Sequence, residues 1–197
     1  MTSNNAQVGR PTPEPGLWRP VLLRSLVALA FGLLTVFWPD VPAAAAGVYL
    51  LLTAAAVLVL NMSVRHGLQG SGLLLRIECI VLAVCGLVSL LAPGASTLII
   101  GLALVLSGGL EILLGFKFRQ QTVLGRDWLI TGTIAAVAGI LIFALANGSP
   151  RAPLGVMGGS AVIIGVALIL AALTYRTDGS RGAASTLSSE QSLPGVE

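Results

Sequence analysis

Leu73–Phe116 reads LLLRIECIVLAVCGLVSLLA–PGAS–TLIIGLALVLSGGLEILLGF, two apolar runs of twenty residues around a four-residue turn. A bilayer core of about 30 Å is crossed by ~20 helical residues. In hydrocarbon every backbone polar group must be satisfied within its own segment, so each run is expected to be a helix. The ten-residue apolar/polar alternation of a transmembrane barrel strand is absent. Pro93 and Gly94 break the helix between the runs, giving a membrane hairpin.

The same arrangement lies on both sides of this stretch. Val21–Trp38 and Ala43–Met62 flank Pro39–Pro42, and Trp128–Ala146 and Leu154–Thr174 flank Asn147–Pro153. The six spans run 18 to 21 residues, and Arg24, Arg76, Glu78 and Glu111 are the only charged residues inside them. The expected fold is all-α and polytopic, with six transmembrane helices in three parallel helical hairpins, 21–62, 73–116 and 128–174. Together they form a transmembrane domain over 18–176. Gly32, Gly86 and Gly139 recur at spacings of 54 and 53, with Arg24, Glu78 and Thr131 eight residues before them. A fixed long period is the mark of an internal repeat, here with every copy entering from the same side.

Composition agrees. Of 197 residues, 55% are hydrophobic and 10% charged, with a mean hydropathy of +0.94. A soluble domain carries about 25% charged residues. The net charge of +3 forms no basic patch with interleaved aromatics, so nucleic acid is not an expected partner. Ten of the eleven basic residues fall on the side of the termini and long loops, and only Arg151 on the other. The positive-inside rule therefore predicts cytoplasmic termini. The segments 1–17 and 177–197, rich in Ser, Thr, Gly and Pro, are expected to be disordered cytoplasmic tails. Ala43–Ala45 resembles a signal-peptidase site. However, a signal h-region is 7–15 residues, shorter than the first span, so the span is read as retained.

Chemistry-bearing groups are few. Intramembrane charges are costly and mark sites by default, so Arg24, Arg76, Glu78 and Glu111 form a candidate charge cluster in the inner leaflet. Two readings stay open, a structural ion pair or a proton-titrating transport site using Glu78 and Glu111. Gly32, Gly86, Gly139, Gly108, Gly155 and Gly159 are candidate helix-packing positions. Cys79 and Cys85, six residues apart on one run, are about 9 Å apart along a helix and read as packing groups. No phosphate-binding loop, nucleophile elbow or metal-spaced His/Cys set is present, so no catalytic, cofactor or metal site is expected.

The pattern resembles the HdeD-like acid-resistance membrane proteins. Leu22-Leu23-Arg24 through Gly32 to Phe37-Trp38-Pro39 carries the likeness in the first hairpin. In the second it is Glu78 through Gly86 to Ala92-Pro93-Gly94, then Gly109-Leu110-Glu111 and Lys117-Phe118-Arg119. In the third it is Trp128 through Gly139, Gly165 and Tyr175-Arg176. The third copy departs from the pattern, with Thr131 at the charged position and no Pro after Ala146. The resemblance implies a small non-enzymatic multipass protein of the bacterial inner membrane, linked to acid stress. Its expected partners are the lipid bilayer and either further copies of itself or other membrane proteins.

Overall fold

The computed structural model describes residues 16–38, 40–42, 44–64, 71–92, 96–146, 148 and 151–191. It contains six helices, α1 (Trp18–Phe37), α2 (Ala44–Val64), α3 (Ser71–Leu91), α4 (Ser96–Phe118), α5 (Leu124–Ala144) and α6 (Ala152–Gln191). There is no strand among the described residues. All six are long and apolar enough to cross a bilayer. Pro20 and Pro153 both fall in the first turn of a helix, where the missing N–H has no intrahelical acceptor to lose. Pro39, Pro93 and most of segment 1–17 lie outside the described residues, as does His66.

One boundary differs from expectation. The helix does not stop at Arg176 but continues to Gln191, so residues 177–191 are not an irregular tail. No proline occurs between Pro153 and Pro194. Extending a helix that already exists avoids the nucleation cost that keeps an isolated polar segment unfolded. The apolar, span-like part ends near Asp178.

Each helix packs on its neighbours in chain order, and α6 returns to α1, closing a ring. The broadest interfaces are α4·α5, α1·α6 and α2·α3, whereas those within the hairpins α1·α2, α3·α4 and α5·α6 are narrower. Small residues at seven-residue spacing explain the difference. On α4, Gly101, Gly108 and Gly115 face Gly139, Gly132 and Gly125 of α5. A Cβ on Gly108 would lie 2.6 Å from Gly132 O, one on Gly139 2.7 Å from Gly101 O, and one on Gly115 2.9 Å from Gly125 O. A residue every seventh position stays on one face, and lipid supplies no hydrophobic drive between helices. Close backbone approach therefore takes its place.

The other two broad interfaces use the same device. Gly47 and Gly86 approach across α2·α3, a Cβ on either coming within 3.0 Å of the other's carbonyl oxygen. Seven residues along, the Cys79 thiol donates to Ala54 O at 3.4 Å. Across α1·α6, a Cβ on Gly32 would lie 2.9 Å from Gly158 O, and one on Gly165 3.0 Å from Leu29 N. Gly155 and Gly159, expected as packing positions, have nothing within 4 Å of a Cβ. The turn before α6 is three residues longer than its counterparts, which moves the matching face to Gly158 and Gly165. The ring's exterior carries Leu26, Leu33, Ile80, Leu113, Ile140, Ile163 and Leu170, all exposed as lipid contact requires.

Candidate functional site

Arg24 of α1, Glu78 of α3 and Thr131 of α5 each stand six or seven residues from the start of their helix. Glu111 of α4 stands seven residues before its end. At 1.5 Å per residue, all four share a level about 10 Å inside the ring, on the side of the termini. Glu78, Glu111 and Thr131 are 1% exposed or less, and the Arg24 side chain 11%.

Glu111 is the hub. Arg24 Nη2 donates to its Oε1 in a buried ion pair, and Thr131 Oγ1 donates to its Oε2 at 2.5 Å. The Thr131 hydroxyl also lies 3.0 Å from Asp127 O, one turn earlier on α5. Three helices are thereby tied through one carboxylate, α1 and α5 both bonding to α4. One ladder glycine makes room for this hub, since a Cβ on Gly132 would lie 2.8 Å from Glu111 Cβ.

Glu78 has a different environment. Neither carboxylate oxygen has a hydrogen-bond partner, although the residue is 0% exposed. It lines a cavity of about 20 Å³ together with Arg24, Glu111, Tyr49, Thr53 and Ser107. The remaining wall is apolar and comes from all six helices, with Ala28, Leu50, Leu82, Leu104, Ala135 and Ile164 closing it. A second space of about 10 Å³ lies between Arg24, Asp127, Trp128 and four aliphatic residues. The first has room for about one water and the second for barely one, so neither is a passage.

Arg24, Glu78 and Glu111 line one cavity, and Arg76 is not among its lining residues. Arg76 lies two residues from Glu78 on α3 and is exposed, because positions two apart on a helix point some 200° from each other. Thr131 was visible in the sequence only as the odd member of the 53- and 54-residue spacings. Its hydroxyl is the third arm of the hub. A further pair escaped sequence reasoning altogether, for the Tyr175 hydroxyl donates to Asp127 Oδ2 and joins α6 to α5. At the same end the guanidinium groups of Arg19 and Arg176 lie over the Trp18 ring, at 5.4 and 5.6 Å from its centroid. At the opposite end Arg151 reaches Asp40 Oδ1 at 2.7 Å. Both side chains are largely exposed, so this bond contributes little to stability.

Comparison with known proteins adds one finding. No curated protein and no solved structure matches the chain. Residues 77–144 match a family model described as a short repeat of unknown function (DUF308), a family associated with HdeD-like membrane proteins. The match spans α3 to α5 and so contains Glu78, Glu111, Thr131 and the α4·α5 glycine ladder.

Proposed function

We infer that this chain is a non-enzymatic, membrane-structural protein of the HdeD-like kind. It would be built from three parallel hairpin repeats and sit in the bacterial inner membrane with both termini cytoplasmic. Its role would be that of an accessory component in an envelope stress response, acid stress included, or a subunit of a larger membrane complex. Its contacts are lipid and either further copies of itself or other membrane proteins. The observation that carries this reading is the Arg24–Glu111–Thr131 hub inside a closed ring. The Arg24 and Glu111 charges are consumed in joining helices, and the space beside them is about 20 Å³. Beyond Ala28, Leu82 and Ala135, toward the Trp38 end, the described helices carry no Asp, Glu, Lys, Arg or His, so no acidic or basic side chain relays an ion onward.

A second reading, a small proton-coupled transporter or channel, is favoured by one observation, the unpartnered carboxyl of Glu78. Proteoliposomes separate the two. With an imposed pH gradient, wild type and Glu78→Gln are expected to dissipate it no faster than empty vesicles. A protein-dependent flux abolished in Glu78→Gln and Glu111→Gln would establish the transporter instead.

A further inference from the structure

The residues lining the central cavity do not balance in charge. Two carboxyl groups, Glu78 and Glu111, face one cation, Arg24, and Arg24 bonds to Glu111. Glu78 is left fully buried with both oxygens unbonded. A carboxylate in that position costs several kcal/mol unless something completes it.

The remaining polar groups show what fits. Thr53 Oγ1 donates its proton to Tyr49 O at 2.8 Å, and Ser107 Oγ donates to Leu104 O at 3.4 Å. Each hydroxyl spends its hydrogen on its own helix, so what it offers the cavity is lone pairs. The Tyr49 hydroxyl is the one other polar side-chain group lining the space, and it makes no bond to Glu78. Glu78 therefore shares a space of about 20 Å³ with the Thr53 and Ser107 hydroxyls of α2 and α4, both acceptors there, and with the Tyr49 hydroxyl, which can donate or accept. That is room for one water-sized occupant. A water would supply donors but leave the net negative charge. Hard cations take carboxylate and hydroxyl oxygens, and a monovalent one brings the four-group set to neutrality.

We propose that the cavity between Glu78, Thr53 and Ser107 is a binding site for one small monovalent cation of sodium size. The bound ion bridges α3 to α2 and α4, as Glu111 bridges α4 to α1 and α5. This goes beyond the structural reading above and does not depend on it, since an ion can be held without being transported. Absence of flux therefore leaves the site standing.

The test uses the full-length protein in nanodiscs, in sodium, lithium, potassium or choline chloride at constant ionic strength. Thermal unfolding and binding of radioactive sodium are read together. The expected result is a saturable rise of the unfolding midpoint with sodium over choline, and one sodium bound per chain. Both are lost in Glu78→Gln and kept in Arg76→Gln. Thr53→Val and Ser107→Ala, which leave the carboxyl in place, are each expected to weaken sodium binding about tenfold, as loss of one polar contact does. Equal midpoints in all four salts with no bound sodium would overturn the proposal and leave a proton or a water as the occupant. So would sodium binding that survives in Glu78→Gln, or that is unchanged in both hydroxyl variants.

Discussion

Arg24→Met is expected to destabilise the protein by about 3–5 kcal/mol, the cost of removing one partner from a buried pair. Denaturant titration in mixed micelles would measure it. The reason lies in which groups remain. Arg24 is the only cation among the residues lining the central cavity. Without it, Glu111 and Glu78, both at most 1% exposed, face each other uncompensated. Glu111→Gln is expected to cost less, because the freed guanidinium has Glu78 beside it as a substitute acceptor. Thr131 likewise retains Asp127 O at 3.0 Å. Joining Arg24→Met to Glu111→Met is expected to recover much of the loss, since apolar replacement of a whole buried pair is often neutral. A double mutant no better than Arg24→Met alone would show that the pair is not what holds α1 to α4.

The second large effect concerns two adjacent residues. Gly108→Ala is expected to cost about 3 kcal/mol or more, beyond ordinary overpacking, whereas Gly109→Ala is expected to be neutral or to stabilise by up to about 1 kcal/mol. Both glycines lie mid-helix in α4, so propensity favours alanine equally at each. They differ in what the methyl group meets. At Gly108 it would sit 2.6 Å from backbone atoms of both Gly132 and Ala136, and backbone cannot step aside as a side chain can. At Gly109 nothing lies within 4 Å. The same titration, with folded yield from the membrane, reads both variants. Similar values for the two would mean that α4 does not meet α5 along the glycine face.

These predictions rest on features that the sequence showed unequally. The six apolar runs match the six helices closely because length and hydrophobicity are imposed by the bilayer and need no knowledge of neighbours. Glu78 and Glu111 stood out for the same reason, being costly where they are. What the sequence did not disclose was pairing. Turn prolines make α1·α2 and α3·α4 look like the packing units, yet the broad contacts lie across α2·α3, α4·α5 and α6·α1. The signal for this was present as Gly101, Gly108 and Gly115 against Gly125, Gly132 and Gly139. It is a seven-residue rhythm that a search for small residues four apart passes over. Spacing of four points to Gly155 and Gly159, which face open space, whereas the close contacts are at Gly158 and Gly165. Depth alone puts Arg76 with the cluster, but its direction from the helix axis leaves it exposed. Beyond Arg176 the polar composition points to an irregular segment, whereas α6 runs on to Gln191, with no proline before Pro194 to interrupt it.

Whether the polar level is sealed from both sides of the membrane can be measured directly. With Cys79 and Cys85 replaced by serine, a single thiol at Ser107→Cys would stand in the cavity wall, and one at Gln120→Cys on the exposed end beyond α4. A membrane-impermeant maleimide would be applied to each face of reconstituted vesicles in turn. Rapid labelling of the Gln120→Cys protein from one face only is the expected result, with no labelling of Ser107→Cys from either face until the protein is unfolded. Labelling of Ser107→Cys in the folded protein at a rate near that of Gln120→Cys would mean that water reaches Glu78 and Glu111. The ring would then be an entrance rather than a brace.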